Sequence, residues 1–356
     1  MTIAIVLGTR PEIIKMSPVI RECEKQGVDY FVLHTGQHYS HNLDGIFFEQ
    51  LGLAAPRYNL GIGSGTDAEQ TARAVVGIEK ILLDEKPDMV LVLGDTNTVL
   101  AGSLVAPKLH ISLGHIEAGL RSYDRSMPEE INRIIADHCS DYLFAPTEKA
   151  LAILRSEGMP GEKVFMTGNT IVDAVQYNLG TAIRITSGLD SLHLARGEYC
   201  LMTLHRRENV DNPARFATIV DGLERVANGL GLPVIYPIHP RARKMADQFG
   251  IEFKAILLIE PLDYWNFLQL EDGAGIVLTD SGGVQEEACV LGVPCVTLRD
   301  NTERPETVEV GANMLAGANA DRIVECATIM LEQVDVWDNP FGDGKAGERI
   351  VGIMLG

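Results

Sequence analysis

The chain has 356 residues, 46% of them hydrophobic, six cysteines and a formal charge of −19. Such a length suits two folded domains, and the acidic balance argues against nucleic acid or an anionic membrane surface as the main partner, so that any anionic ligand must be held by local donors. The cysteines form no CxxC pair and read as core residues in a reducing compartment; with no signal-type N-terminus and no apolar run of about 18 residues, the expectation is a soluble, cytoplasmic protein.

In chain order, Ile3–Leu7, Tyr30–Leu33, Met89–Leu93, His110–Gly114 and Tyr142–Ala145 read as strands, with helical patterns at Lys15–Gln26, Asp67–Leu83 and Glu129–His138 between them. The alternation resumes with strands at Tyr199–Thr203, Val234–Pro237, Ala255–Ile259, Gly275–Leu278 and Cys295–Thr297, and helices at Pro213–Asn228, Tyr264–Leu270 and Val284–Leu291. Short apolar strands alternating with amphipathic helices predict parallel sheets covered on both faces. Gly, Ser and Thr accumulate around 185–197, where two Rossmann-like halves would join, with a cleft between the carboxyl ends of both sheets.

The residues of interest fall at those strand ends. "VLGTRPEIIK" runs a strand into Pro11, suited to a first helical position, and brings Arg10 and Lys15 near a helix start. They are either solvated basic side chains or partners for an anion. Asp95, just past the apolar strand in "VLVLGDTNT", either caps a helix or does chemistry. In "GHIEAGLRS" Glu117 has no capping role to explain it, whereas Glu129 in "MPEEINR" also suits the start of a helix. Converging carboxylates acquire separated pKa values, which suits acid and base roles. His205, Arg206 and Arg207 follow a strand of the second half, and His239 ends the next one. No HxxxH or HxH spacing supports a metal site. "LGIGSGTDAE" lacks the dinucleotide spacing and reads as a loop capped by Thr66 or Asp67. No Walker loop or serine-hydrolase elbow occurs.

"VLTDSGGVQEEACVLGVP" combines a strand, a Ser281-Gly282-Gly283 turn whose amides would attract phosphate, and two carboxylates one turn on. A nucleoside diphosphate satisfies both, with its phosphate on the turn and its ribose hydroxyls on one of the two glutamates.

Taken together, "GTRPEIIK", "TGQH", "GDT", "HIEAGLRS", "PEEINR", "HRREN", "DSGGVQEEA", "RDNTERPE" and "NPFGDGKAGERI" resemble the non-hydrolysing UDP-N-acetylglucosamine 2-epimerases, in order from residue 8 to about residue 350. The resemblance implies a two-domain GT-B fold with Rossmann-like domains at 1–168 and 169–340, the segment 341–356 returning as a helix to the first. It implies reversible inversion at the acetamido-bearing carbon through elimination of UDP to a bound glycal, with no cofactor and no metal. Catalytic roles fall on Asp95, Glu117 and Glu129, with His205 near the diphosphate. Arg10, Lys15, Arg133, Arg206, Ser281, Gly282, Gly283, Glu287 and Arg304 are expected to hold substrate or UDP, with Phe267 against the uracil. Glu287 is then the ribose ligand and Glu286 its solvated or capping neighbour. Gln37 and His38 are expected to help bind a second substrate molecule as activator, and the protein to be a homodimer. Three alternatives share the nucleotide site: a GT-B glycosyltransferase and a non-catalytic nucleotide-sugar sensor, both of which the three carboxylates argue against, and a 2-epimerase of a more decorated UDP-sugar.

Overall fold

A computed structural model describes residues 1–36, 47–185, 188–332 and 336–356. Gln37 and His38 lie outside the described residues. The chain divides into two compact units, Met1–Ala174 with Phe341–Gly356, and Val175–Pro340. The division falls inside the Thr170–Ile185 helix, a few residues beyond the expected boundary at 168 and ahead of the Gly/Ser/Thr-rich stretch. That stretch is preceded by sixteen helical residues in which Ile171, Val172, Ala174 and Val175 are buried.

Among the described residues the first unit is built on seven parallel strands: β1 (Thr2–Leu7), β2 (Asp29–His34), β3 (Tyr58–Asn59), β4 (Met89–Leu93), β5 (Ser112–Ile116), β6 (Tyr142–Ala145) and β7 (Val164–Met166), in the order β3-β2-β1-β4-β5-β6-β7. β4 is buried at every position, as expected of a strand covered on both faces. β5 begins two residues later than the sequence suggested. The helix Asn97–Lys108 ends in a turn that takes up His110, whose φ of 59° puts it in the left-handed region, and the Ile111 amide bonds back to Ala106. Glu117 therefore follows β5 directly.

The second unit repeats the scheme with β8 (Cys200–Thr203), β9 (Val234–Pro237), β10 (Ile256–Ile259), β11 (Ile276–Thr279), β12 (Cys295–Thr297) and β13 (Asn313–Leu315), in the order β10-β9-β8-β11-β12-β13, again all parallel. Alternation fills both faces of this sheet. Cys200, Met202, Val234, Tyr236, Ile276 and Leu278 enter one apolar cluster, and Leu201, Ile235 and Val277 enter the other. Each fully buried side chain of this size contributes roughly 1.5–3 kcal/mol. In both sheets the strand order reverses at one point, between β1 and β4 and between β8 and β11. Doubly wound sheets place ligands at the carboxyl ends of the strands that flank such a reversal.

The loop before the Asp67–Glu85 helix is capped by Thr66, which exchanges bonds with Glu69 in a capping box. At the other end of the chain, the helix Ala346–Leu355 lies in the first unit against the helix Arg10–Gln26. Its Gly347 permits the approach, since a Cβ there would lie 2.9 Å from the Pro18 carbonyl carbon. Asp173 accepts the Ala346 and Gly347 amides at 3.2 and 2.9 Å and so caps this helix. No described helix is long and apolar enough to cross a membrane.

Candidate active site

In the first unit the site residues stand at the ends of β1, β4 and β5. Thr9 caps the helix that follows β1. Glu12, in its first turn, is buried and accepts the amides of Gly8 and Thr9 at 2.7 Å each and the Thr9 hydroxyl at 3.0 Å. Its other oxygen accepts the Thr96 hydroxyl at 2.7 Å, which ties the end of β1 to the end of β4. Burial pushes the Glu12 carboxyl up to about 7 from 4.5, against the pull of the Thr96, Gly8 and Thr9 donors. With the folded value raised, the stability this group contributes is complete below about pH 4.5 and is lost as pH rises through about 7. Between about pH 6 and about pH 8 the wild type should lose about 1 kcal/mol more than Glu12→Gln in denaturation followed by circular dichroism. Equal losses in the two proteins would show that Glu12 does not titrate in that window.

Thr96, rather than Asp95, caps the helix after β4. Asp95 instead pairs with Arg133 of the Pro128–Cys139 helix, and the Asn132 amide holds the Asp95 carbonyl at 2.9 Å. Arg133 also bonds Glu130 at 2.7 Å. Glu130 is the buried member of the "PEE" pair and accepts the Ser122 and Tyr123 amides at 2.9 Å. Glu129 is half-buried at the same helix start. Glu117 is buried and pairs with Lys15, so the basic residue near the helix start meets a side-chain carboxylate. Its φ of 67° is left-handed for a residue with a Cβ, a strain of about 1–3 kcal/mol that such sites store. Glu117 lies against the β4 end too, for a Cβ on Gly94 would sit 3.5 Å from its Oε2. Arg10 stands apart and exposed, with its guanidinium 5.7 Å from the centre of the Phe47 ring.

In the second unit the reversal between β8 and β11 gathers the other set. Asp280, fully buried at the end of β11, accepts the His205 amide at 3.1 Å, the Arg206 amide at 2.9 Å and the Asn209 side chain at 3.1 Å. The His205 imidazole Nδ1 lies 3.3 Å from Asp280 Oδ1, and the His205 and His239 rings stand 5.6 Å apart. Ser281 caps the helix Gly282–Leu291. The amides of Gly282 and Gly283, in its first turn, have no carbonyl within the helix to bond and sit at its positive end, the arrangement that binds phosphate. The Arg304 guanidinium joins them, 3.5 Å from where a Gly282 Cβ would stand.

One expectation is corrected here. Glu286 is neither solvated nor a cap: it is fully buried and bonds Arg304 Nε at 2.9 Å. Neighbouring residues on a helix point about 100° apart, so Glu286 turns to Arg304 while Glu287 accepts the Tyr264 hydroxyl at 3.2 Å. Phe267 is half-buried on the Tyr264–Gly273 helix that carries Tyr264. On that helix Glu271 is fully buried, no described residue donates to either of its oxygens, and burial and then the nearby Glu287 push its carboxyl well above the usual range.

The sequence reading overlooked Glu12, Glu130, Tyr264 and Asp280. Asp280 carried the same signal as Asp95, a carboxylate directly after an apolar strand. Glu12 carried a local signal too, the capping box it forms with Thr9, and Glu130 stands within eight residues of its Ser122 and Tyr123 donors, whereas Tyr264 shows itself only through Glu287, 23 residues on. Among the described residues no cluster of His, Cys, Asp and Glu suited to a metal is formed.

Two doubly wound parallel units make this an α/β protein of the GT-B class. The family model described as UDP-N-acetylglucosamine 2-epimerase matches residues 21–355, and the chain belongs to that family. A Methanocaldococcus jannaschii protein named UDP-N-acetylglucosamine 2-epimerase is 55% identical over 99% of both chains. The crystal structure of the M. jannaschii UDP-GlcNAc 2-epimerase in complex with UDP-GlcNAc and UDP matches with a TM-score of 0.95 and 54% identity, over 100% of this chain and 99% of that one. A UDP-2,3-diacetamido-2,3-dideoxy-D-glucuronate 2-epimerase of Pseudomonas aeruginosa is 44% identical over 98% of both.

Proposed function

We propose that the chain interconverts UDP-N-acetylglucosamine and UDP-N-acetylmannosamine by eliminating UDP to a bound glycal and adding it back after a change of face. A base removes the proton at the acetamido-bearing carbon while the bond from the anomeric carbon to the diphosphate breaks. The electron pair of the lost C–H forms the double bond, and UDP leaves with the other pair. Addition in reverse, with a proton delivered to the opposite face, inverts the centre. The C–H is weakly acidic, so the step needs a positioned base and a stabilised leaving group.

The observation that carries this reading is Glu117: a buried carboxylate, in strained backbone, beside Lys15. Asp95, Glu117 and Glu129 share the proton work. Arg10, Lys15, Arg133 and Arg206 hold substrate, while His205, Arg304 and the Ser281-Gly282-Gly283 turn meet the diphosphate. Glu287 takes the ribose hydroxyls and Phe267 the uracil. No nicotinamide and no metal is called for. A homodimer in the cytoplasm belongs to the same proposal, on the strength of the family resemblance.

A second reading, the same inversion on a diacetamido uronate UDP-sugar, is favoured by the 44% identical relative. A panel of UDP-sugars assayed for turnover separates the two. Glu287→Ala should weaken UDP binding by about 1–3 kcal/mol, the range for a lost hydrogen bond to a charged group. Unchanged affinity in calorimetry would refute the ribose role.

A further inference from the structure

Beside the Glu117 turn lies a buried group of charges that the proposed chemistry leaves unused. His115, on β5, and Asp137, on the Pro128–Cys139 helix, are both fully buried. The imidazole Nδ1 meets Asp137 Oδ1 at 2.7 Å, and Nε2 meets the Gly94 carbonyl at 2.8 Å. Through Oδ2, Asp137 also accepts the Gly119 amide at 3.1 Å and pairs with Arg121 at 2.7 Å. Arg121 in turn bonds both oxygens of Glu157, at 3.0 and 2.6 Å.

A carbonyl oxygen can only accept, and so can an ionised carboxylate. Asp137 is ionised: it pairs with the Arg121 guanidinium at 2.7 Å and accepts the Gly119 amide at 3.1 Å, a charge and a donor that favour the carboxylate against burial. With Asp137 ionised, both ring nitrogens of His115 face acceptors and both must donate. We infer that His115 is held as an imidazolium and that, with Asp137, it is a positioning residue locking together the turns that carry Asp95 and Glu117.

Both turns need such a lock. Gly94 and Gly119 have φ of 83° and 84°, and Glu117 between them in the scheme is left-handed as well. At Gly119 a Cβ would stand 2.4 Å from the Ala150 carbonyl oxygen, so the turn runs close against the helix Glu148–Ser156. The imidazolium donates to the residue before Asp95, and Asp137 accepts from the second residue after Glu117. One His–Asp couple therefore spans the β4 and β5 ends. His115, Asp137 and Arg121 are buried, and the exposed Glu157 offsets the remaining positive charge, so the four sum to zero, which makes the burial tolerable. Lys15 and Glu117 form a separate pair close to Gly94. The inference rests on the reading of Asp95 and Glu117 as catalytic.

The test starts with the full chain labelled with ¹⁵N-histidine. Under the conditions of the activity assay the His115 ring should show two protonated nitrogens, identified by their loss in His115→Gln. Neutron diffraction from crystals of the unaltered protein reads the same two deuterons directly, so a variant that fails to fold does not weaken the test. A bare ring nitrogen on His115 under those conditions would overturn the inference, whatever the reaction rates. Kinetically, His115→Gln should lower kcat at least about 30-fold while the UDP Kd moves less than about twofold, because UDP binding is assigned mainly to the second unit. Parallel losses in kcat and UDP affinity would mean a merely structural role and overturn the positioning claim. Should Glu117→Gln stay active while His115 proves doubly protonated, it is the catalytic reading that fails and the imidazolium that stands.

Discussion

Glu117→Gln is expected to lower kcat by a factor of about 10³ or more while UDP affinity stays within about threefold. The substitution keeps the side chain's size and leaves an amide oxygen to accept from Lys15, so the turn after β5 retains its shape. What it removes is a group able to take and return a proton, a loss of about 10²–10⁴ in rate for a positioned acid or base. Elimination demands more than transfer between heteroatoms, because the proton sits on carbon, and the expected effect lies at the upper end. Steady-state kinetics with a melting curve as control makes the measurement. A variant that keeps a tenth of wild-type kcat would remove Glu117 from the catalytic set.

Arg304→Met should destabilise the second unit by about 3–5 kcal/mol, the cost of leaving a buried charge without its partner. Glu286 is fully buried and bonds Arg304 Nε, and methionine supplies the volume but no donor. Glu303 is spared, because Arg299 bonds both of its oxygens at 2.9 Å. Both tryptophans, Trp265 and Trp337, lie in the second unit, so their fluorescence during urea denaturation reports this unit alone. Removing both partners in Arg304→Met with Glu286→Leu should recover most of the stability, since a buried pair replaced by apolar side chains is close to neutral. UDP binding should not recover in the double variant, because the guanidinium beside Gly282 is gone. A loss of less than about 1 kcal/mol in the single variant would mean that Glu286 does not depend on Arg304.

The parallel sheets were legible because their strands are buried on both faces. "MVLVL" and "VIYP" stand as apolar runs with the bounds the structure shows, Met89–Leu93 and Val234–Pro237. β3, with two residues, and β13, with three, are too short for any periodicity to register. The shift of β5 came from His110, whose place in a helix-ending turn depends on a φ that composition does not announce in a residue other than glycine. Strand ends marked where the candidate residues stand, but not what they touch. Lys15 and Glu117 are 102 residues apart and the His205 amide and Asp280 are 75 apart, so their pairing is a property of the sheet order and not of local spacing. Glu286 and Glu287 illustrate the limit most sharply: two identical neighbours are told apart only by the 100° between them on the helix, which sends one to Arg304 and the other to Tyr264.

The central claim is inversion through loss and return of a carbon-bound proton. Proton NMR of the purified protein with UDP-N-acetylglucosamine in deuterated water tests it most directly. The account predicts new UDP-N-acetylmannosamine signals in which the inverted carbon carries deuterium. Epimerised product that keeps its original proton, or free UDP accumulating with N-acetylmannosamine, would contradict it.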